Sequence, residues 1–449
     1  MVILRNSIAF LAVILLSSGA IAQEVISLED AIQHALKYKS EAVKARLDVQ
    51  NGRYQVEEAR ANALPQINGS AGLTYNAILQ QMALNMGGQT MVIKMGQPWQ
   101  SQAAVQVDQQ VFNLAVFTGL KAAKSTSEFY VINEHLTAEQ IVEKIANSYY
   151  EVYKTKSQLA TIDRTLSNTT RVRNVLESLF DNGLAKKIDL DRMNVALNNV
   201  SSSKQQLINA LALQENALKY LMGMDITQTI QLPEGEFVAD FKNYLEKPEM
   251  NVAQRTEIRM LEKQNELLAY NKQAINAQRY PSLAFSGNYG YIGLGEKFPY
   301  FAGSNNGVNW SEFSAISLNL RVPIFSGFAN RAKTRQAQIE IDRLNVDIAD
   351  TKLALQLDAE NAYTQIKNAI ITLNAQEANQ KLAQDVLRNV ENNYNNGLAT
   401  LTDLLDAETS YADAQNSYTN ALVEFKLAEV KLAKAQGNLL STYAPSVQL

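Results

Sequence analysis

Cysteine is absent from all 449 residues. That excludes disulfides, thiolate catalysis, cysteine metal sites and a lipid carried on an N-terminal Cys. Histidine is almost absent too. His34 and His135 stand alone in amphipathic helices without a partner at ligand spacing, so no metal ligand set is expected. Glycine and proline are sparse, at 20 and 8 residues, while Ala, Leu, Gln and Asn fill long tracts, a composition that favours helix. The formal net charge is only −4 and no basic stripe stands out, which argues against nucleic acid as a partner. The glycine-rich stretch at 287–307 does not fit a strand–loop–helix phosphate motif, and no serine has a nucleophile's context. Enzyme chemistry and bound cofactors are therefore not expected. Met82, Met86, Met91 and Met95 suggest soft-metal handling or adaptable gap-filling; without Cys or His nearby, gap-filling is the preferred reading.

Long apolar runs are missing as well. The one candidate is Ile8 to Leu16, preceded by Arg5 and followed by Ala20-Ile21-Ala22. It is short of the ~20 residues that span a bilayer as a helix and reads as a signal peptide over residues 1–22, cleaved before Gln23.

What remains is organised around Tyr394-Asn-Asn-Gly397-Leu-Ala-Thr-Leu-Thr-Asp403-Leu-Leu-Asp406 and the helix it opens. Ala407, Tyr411, Ala414, Tyr418, Ala421, Phe425, Ala428, Leu432 and Ala435 recur at alternating steps of four and three. Small residues alternate with large ones along that seam, as knobs-into-holes packing requires. Gly397 reads as the tip of a long helical hairpin, and Gly183 as the tip of an earlier copy.

Taken in order, a helix is expected from Ser27 to Asn62, with Ser27 and Asp30 forming a capping box and Leu64-Pro65 ending it. The hydrophobic period then changes to two. Ile67, Gly69, Ala71, Leu73 and Tyr75 alternate with Gln66, Asn68, Ser70, Gly72, Thr74 and Asn76. Residues 77–100 read as a loop, and a second strand sets Ala103, Val105, Val107 and Val111 against Ala104, Gln106, Asp108 and Gln110. From Leu114 to Asn182 a helix on the order of 100 Å long is expected. It turns at Gly183 and returns from Ile188 to Met222.

Residues 224–248 are polar and turn-rich and read as a linker. The programme then repeats: a helix over 249–279, a strand from Ser282 to Tyr291, a loop over 292–311, a strand from Phe313 to Ile324, a helix from Phe328 to Asn396, and the Gly397 hairpin. Tyr54, Pro65 and Tyr75 match Tyr270, Pro281 and Tyr291 at a spacing of 216; Gly183, Asp189, Leu190 and Gly223 match Gly397, Asp403, Leu404 and Gly437 at 214. The expected organisation is a first repeat over 23–223 with its strand pair at 66–112, the linker at 224–248, a second repeat over 249–437 with its strand pair at 282–325, and a tail at 438–449.

Strands of this length, polar on one face and apolar on the other, have the pattern of transmembrane β-barrels. Four cannot close a barrel, and an open edge in lipid leaves backbone groups unpaired. Further copies of the chain must complete it, and a homotrimer supplies twelve strands. Trp99 and Trp310, each placed just before the second strand of its pair, together with Tyr289, Tyr291, Tyr300, Phe301 and Phe313, read as an aromatic girdle in contact with outer-membrane lipid. Ordinary packing of a soluble sheet is the alternative.

In this order of elements, and most specifically in the Tyr394-x-x-Gly397-x-x-x-x-x-Asp403-Leu-Leu-Asp406-Ala tip, the chain resembles the TolC-type outer-membrane efflux proteins over about 23–440. The resemblance implies a mainly α fold with a membrane β-barrel: a trimeric, 12-stranded barrel in the bacterial outer membrane, continuous with a 12-helix α-barrel across the periplasm. An equatorial belt would be built from 224–248 and the C-terminus. It implies a passive exit duct for an inner-membrane RND or ABC transporter, joined through a periplasmic adaptor (membrane fusion) protein and serving efflux or type I secretion. Asp403 and Asp406, with Tyr394, match the family's periplasmic gate. Asp403 also reads as the capping-box partner of Thr400. Ala399 replaces the family's gate-latching arginine, and Lys186 and Lys187 at the other tip read as solvated lysines. The competing class is a secreted coiled-coil structural protein or adhesin, which explains the heptads but leaves the duplicated strands unexplained.

Overall fold

The period-two stretches pair into one antiparallel sheet. The computed structural model describes residues 24–233, 237, 241, 244, 251–300 and 307–445. The signal segment at 1–22, Phe301, most of 235–248 and the end of the tail lie outside them. The strands are β1 (Glu24–Val25), β2 (Gln66–Tyr75), β3 (Gln80–Met86), β4 (Gln89–Met95), β5 (Trp99–Phe112), β6 (Ile230–Gln231), β7 (Ser282–Gly295) and β8 (Val308–Arg321). The helices are α1 (Leu28–Tyr38), α2 (Ser40–Ala61), α3 (Leu114–Asp181), α4 (Lys187–Met222), α5 (Thr256–Ala277), α6 (Ala329–Asn395), α7 (Leu401–Gln436) and α8 (Leu439–Tyr443). The fold is mainly α.

The chain divides into two compact units, and they do not follow the two repeats. One is Met1–Leu47, Ile132–Arg259 and Ala349–Leu449; the other is Asp48–Val131 and Met260–Ile348. Each unit draws on both repeats, because α3, α6 and their neighbours pack across repeats as well as within them.

In the second unit the sheet runs β2-β5-β7-β8, antiparallel throughout. Its register puts Ile67, Val107, Gly287 and Ile316 in one row and Gly69, Val105, Tyr289 and Ser314 in the next on the same face. The alternate rows hold Gln66, Asp108, Ser286 and Ser317, then Asn68, Gln106, Asn288 and Ala315. One face is thus mostly apolar and the other mostly polar. Every residue of β2 is exposed, as is nearly every residue of β8. Among the described residues, neither edge strand has a partner on its outer side. Glycines in β7 make room for bulky neighbours: a Cβ at Gly290 would lie 2.5 Å from the Ala103 carbonyl oxygen and 2.8 Å from the Phe313 ring.

Helices of the same unit are tied by polar contacts. Lys263 of α5 pairs with Glu128 of α3 at 2.7 Å, and Asn265 of α5 donates to Asn345 of α6 at 2.6 Å. Gly52 lets α2 approach α3, since a Cβ there would meet Tyr130 at 2.7 Å.

The first unit holds the main core. Ile32 and Ala35 of α1, Ile145 and Tyr149 of α3, Leu218 and Met222 of α4, Ile366 and Leu373 of α6, and Leu422, Phe425 and Leu432 of α7 are buried together. Ala407, Ala421, Phe425, Ala428, Leu432 and Ala435 of the heptad seam are buried, while Tyr411, Ala414 and Tyr418 are half-buried. Arg255, itself buried, donates to the Ala435 carbonyl at 3.3 Å near the end of α7. The described residues of the linker region make specific contacts. Ile230 and Gln231 pair in parallel with Glu24 and Val25, and Phe237 and Phe241 pack edge-on against Tyr150 and Phe425 at ring separations of 5.3 and 5.4 Å.

Four expectations need correction. Residues 77–100 are not a loop: β3 and β4 form a second hairpin turning at Gly87-Gly88, both at positive φ, the backbone that a two-residue hairpin turn needs. The helix expected over Ser27–Asn62 breaks at Lys39, whose extended backbone (ψ 132) separates α1 from α2. There the Lys39 ammonium donates to the Tyr220 carbonyl at 2.9 Å and lies 3.6 Å from the Tyr220 ring centre, so docking against the end of α4 overrides helix propensity. The helix expected from 249 begins at Thr256, after a 3₁₀ turn over Val252–Gln254 that Asn251 caps. Trp99 opens β5 and Trp310 is the third residue of β8, so neither precedes its strand, because both strands begin earlier than the alternation of Ala and Val suggests.

Candidate functional site

The candidate residues fall in two sets, one at the helical tips and one on the sheet. The tips belong to the first unit. α3 ends as Gly183 takes a left-handed conformation (φ 75), with the Leu184 N–H donating to the Leu179 carbonyl at 2.7 Å. α6 ends in the same way: Gly397 has φ 75, and the Leu398 N–H donates to the Asn393 carbonyl at 2.8 Å. Glycine is needed at both because a Cβ strains this backbone.

Past the second turn, Thr400 caps α7. The Asp403 N–H donates to the Thr400 hydroxyl at 3.2 Å, and one Asp403 oxygen accepts from the Thr400 N–H at 2.8 Å and from its hydroxyl at 2.7 Å. The Thr400 hydroxyl, and then its N–H, hold the Asp403 carboxyl below the usual carboxylate range. Asp403 therefore stays charged well into the acid range. Asp406, nearly one turn on, is exposed. Capping thus occupies one oxygen of Asp403 while the side chain stays in solvent.

Tyr394 joins the two tips. It is half-buried against Leu176 of α3, Met193 of α4 and Leu401 of α7 in one cluster, and against Leu387, Leu404 and Ala407 in the next. Burial, and then the charge of Asp189, raise its phenol above the ordinary value. Asp189 is thus the tip residue that the sequence reading passed over as a site. Its signal was present, since Asp189 follows Gly183 at the spacing by which Asp403 follows Gly397. Lys186 and Lys187 are exposed, and Ala399 leaves the second tip without a cation at its position.

The aromatic set lies in the second unit, on the apolar face and in four successive rows at one end of the sheet. Trp99 stands opposite Tyr75 (ring centres 4.6 Å apart) and meets Phe298 edge-on at 5.2 Å. Trp310 lies over Gly293, where a Cβ would come within 2.9 Å of the indole, and approaches Tyr300 at 6.1 Å. Tyr291 and Tyr289 follow in the next two rows, 5.8 Å apart, and the Tyr291 hydroxyl donates to Glu312 at 3.1 Å. Phe313 falls on the opposite face, above Gly290. Trp99, Trp310, Tyr289 and Tyr291 each pair a large apolar ring with a polar N–H or O–H, the character of residues at a lipid–water boundary.

Among the described residues there is no group of His, Asp and Glu arranged to hold a metal, and no helix is long and apolar enough to cross a membrane. The second statement does not bear on the sheet.

Comparison with known proteins bears on the family and the fold. The outer membrane protein TolC of Vibrio cholerae is 22% identical over 389 residues, covering 86% of this chain and 84% of that one. The solved structure of the outer membrane protein VceC from Vibrio cholerae superposes with a TM-score of 0.71 at 19% identity, covering 91% of this chain and 96% of that one. The Campylobacter jejuni CmeC outer membrane channel gives 0.74 at 15% identity, covering 92% and 86%. The outer membrane efflux protein family matches residues 31–224 and 248–438. The chain belongs to the outer membrane efflux protein family and is a protein of the bacterial outer membrane.

Proposed function

We propose that the chain is the outer-membrane exit duct of a tripartite efflux or type I secretion system, a passive conduit for substrates delivered by an inner-membrane pump. The observation that carries this is the four-stranded sheet: apolar and aromatic on one face, polar on the other, with both edge strands open. Such edges are too costly to leave unpaired in lipid. Three copies joined edge to edge give a closed 12-stranded barrel whose polar face lines a wet lumen. Trp99, Trp310, Tyr289 and Tyr291 form its aromatic girdle. The helical hairpins form the periplasmic part, with Gly183 and Gly397 at its mouth, and the partners are an adaptor and an RND or ABC transporter.

Asp403, Asp406 and Tyr394 are the proposed gate. Three copies bring six carboxylates to the entrance, which favours cations there. The double variant Asp403→Ala/Asp406→Ala in planar bilayers is expected to lower the cation-to-anion permeability ratio. The drop is on the order of tenfold, the low end of the enrichment that a cleft of one charge sign produces. Conductance and selectivity both equal to the parent protein's would refute the gate assignment. Retention of these properties in the single variant Asp406→Ala alone would assign them to Asp403.

A further inference from the structure

Two residues beyond Asp406 lies a group that the duct reading does not use. Glu408 of α7 is 7% exposed. It lines a cavity of about 20 Å³, room for a single water, together with Thr161, Arg164, Thr165 and Asn168 of α3, Leu387 of α6, and Tyr411 and Gln415 of α7. Ala407 beside it belongs to the cluster that packs α7 on Val172 of α3 and Leu387 of α6. Glu408 therefore sits where the two hairpins meet, about two turns from the Thr400 cap. Its charged surroundings are Glu391 from α6, which repels a negative charge, and Arg171 and Arg164 from α3; Tyr411 is the titratable neighbour on α7 itself. Arg171 attracts the carboxylate but is itself exposed, and no ion pair joins them among the described residues.

We infer that Glu408 is a proton-operated latch that holds the start of α7 against α3 when neutral and releases it when ionised. A carboxylate buried in a one-water cavity beside a like charge is poorly solvated. Ionisation favours any arrangement in which α7 moves off α3 and lets water reach the group. Burial first, and then Glu391, push the Glu408 carboxyl up to about 7, with Arg171 opposing. The packed arrangement is thus fully favoured below the ordinary carboxylate range. It loses that advantage as pH rises through about 7. The tip that carries Asp403 and Asp406 would loosen toward alkaline pH.

The lack of cysteine makes the test clean, because introduced thiols are the only ones present. Spin labels at Ser167→Cys on α3 and Ser410→Cys on α7, both exposed positions, report the interhelix distance in the full-length protein in detergent. From pH 5.5 to 8.5 the distance distribution is expected to lengthen with a midpoint near 7. Glu408→Gln should keep the acid distribution at every pH, and Glu391→Gln should move the midpoint downward. A distribution unchanged with pH in the parent protein overturns the latch, as does a Glu408→Gln variant that still responds. The readout does not require conduction, so a failed latch and a failed duct give different results.

Discussion

Arginine in place of Ile316 is expected to abolish assembly of the protein in the outer membrane, whereas arginine at the adjacent Ser317 should leave assembly intact. Ile316 is 81% exposed and shares its row with Ile67, Val107 and Gly287, an apolar band across the full width of the sheet. If that band faces lipid, a charge near its middle costs about 2–4 kcal/mol per chain, and a trimer incurs the cost three times. Ser317 shares its row with Gln66, Asp108 and Ser286, where an added cation meets water and a carboxylate. The two substitutions are adjacent on β8 and point to opposite faces, so any general intolerance of arginine in β8 would affect both. Heat-modifiable mobility of the outer-membrane fraction reads the outcome, and equal assembly of the two variants would reverse or dissolve the assignment of faces.

The second large effect is expected in the helical core. Phe425→Ala should destabilise the first unit by about 3–5 kcal/mol, the cost of removing a buried aromatic ring and leaving a cavity. Phe425 is 0% exposed, stands in the heptad seam between Ala421 and Ala428, and meets Phe241 edge-on at 5.4 Å and Tyr244 at 6.0 Å. Ala421 and Ala428, its neighbours along the seam, are too small to fill the space. The linker should also lose its anchor, so limited proteolysis should cut within 224–248 faster in the variant. Denaturant unfolding measures the first effect; a midpoint within experimental error of the parent's would mean that the seam contributes little to this unit.

Much of this was legible in the chain because the signals were local and periodic. The alternation of Ile67 to Tyr75 against polar partners is a direct image of a two-faced sheet. Gly183 and Gly397 announce the helix ends through a backbone that other residues resist, and Thr400 with Asp403 announces the restart. The hairpin of β3 and β4 was harder to read. Methionine is a weak strand signal, and Gly87-Gly88 marks a turn in a loop as well as in a hairpin. The break at Lys39 depends on Tyr220, 181 residues away, a contact invisible to local propensity. Asp189 and Glu408 were missed for a related reason. A lone carboxylate on an amphipathic helix reads as solvated surface until another helix is packed against it. The division into units that cut across both repeats likewise depends on which helices pack together, and sequence periodicity does not record that.

In the proposed function the chain forms a conducting tube by closing its sheet with further copies of itself. Single-channel recording of the purified protein in a planar bilayer, after its detergent-extracted mass has been measured, tests it most directly. The expected result is a particle of three chains that inserts and gives discrete, cation-preferring conductance steps. A monomer that leaves the bilayer silent, or a fibre released without detergent, would contradict it.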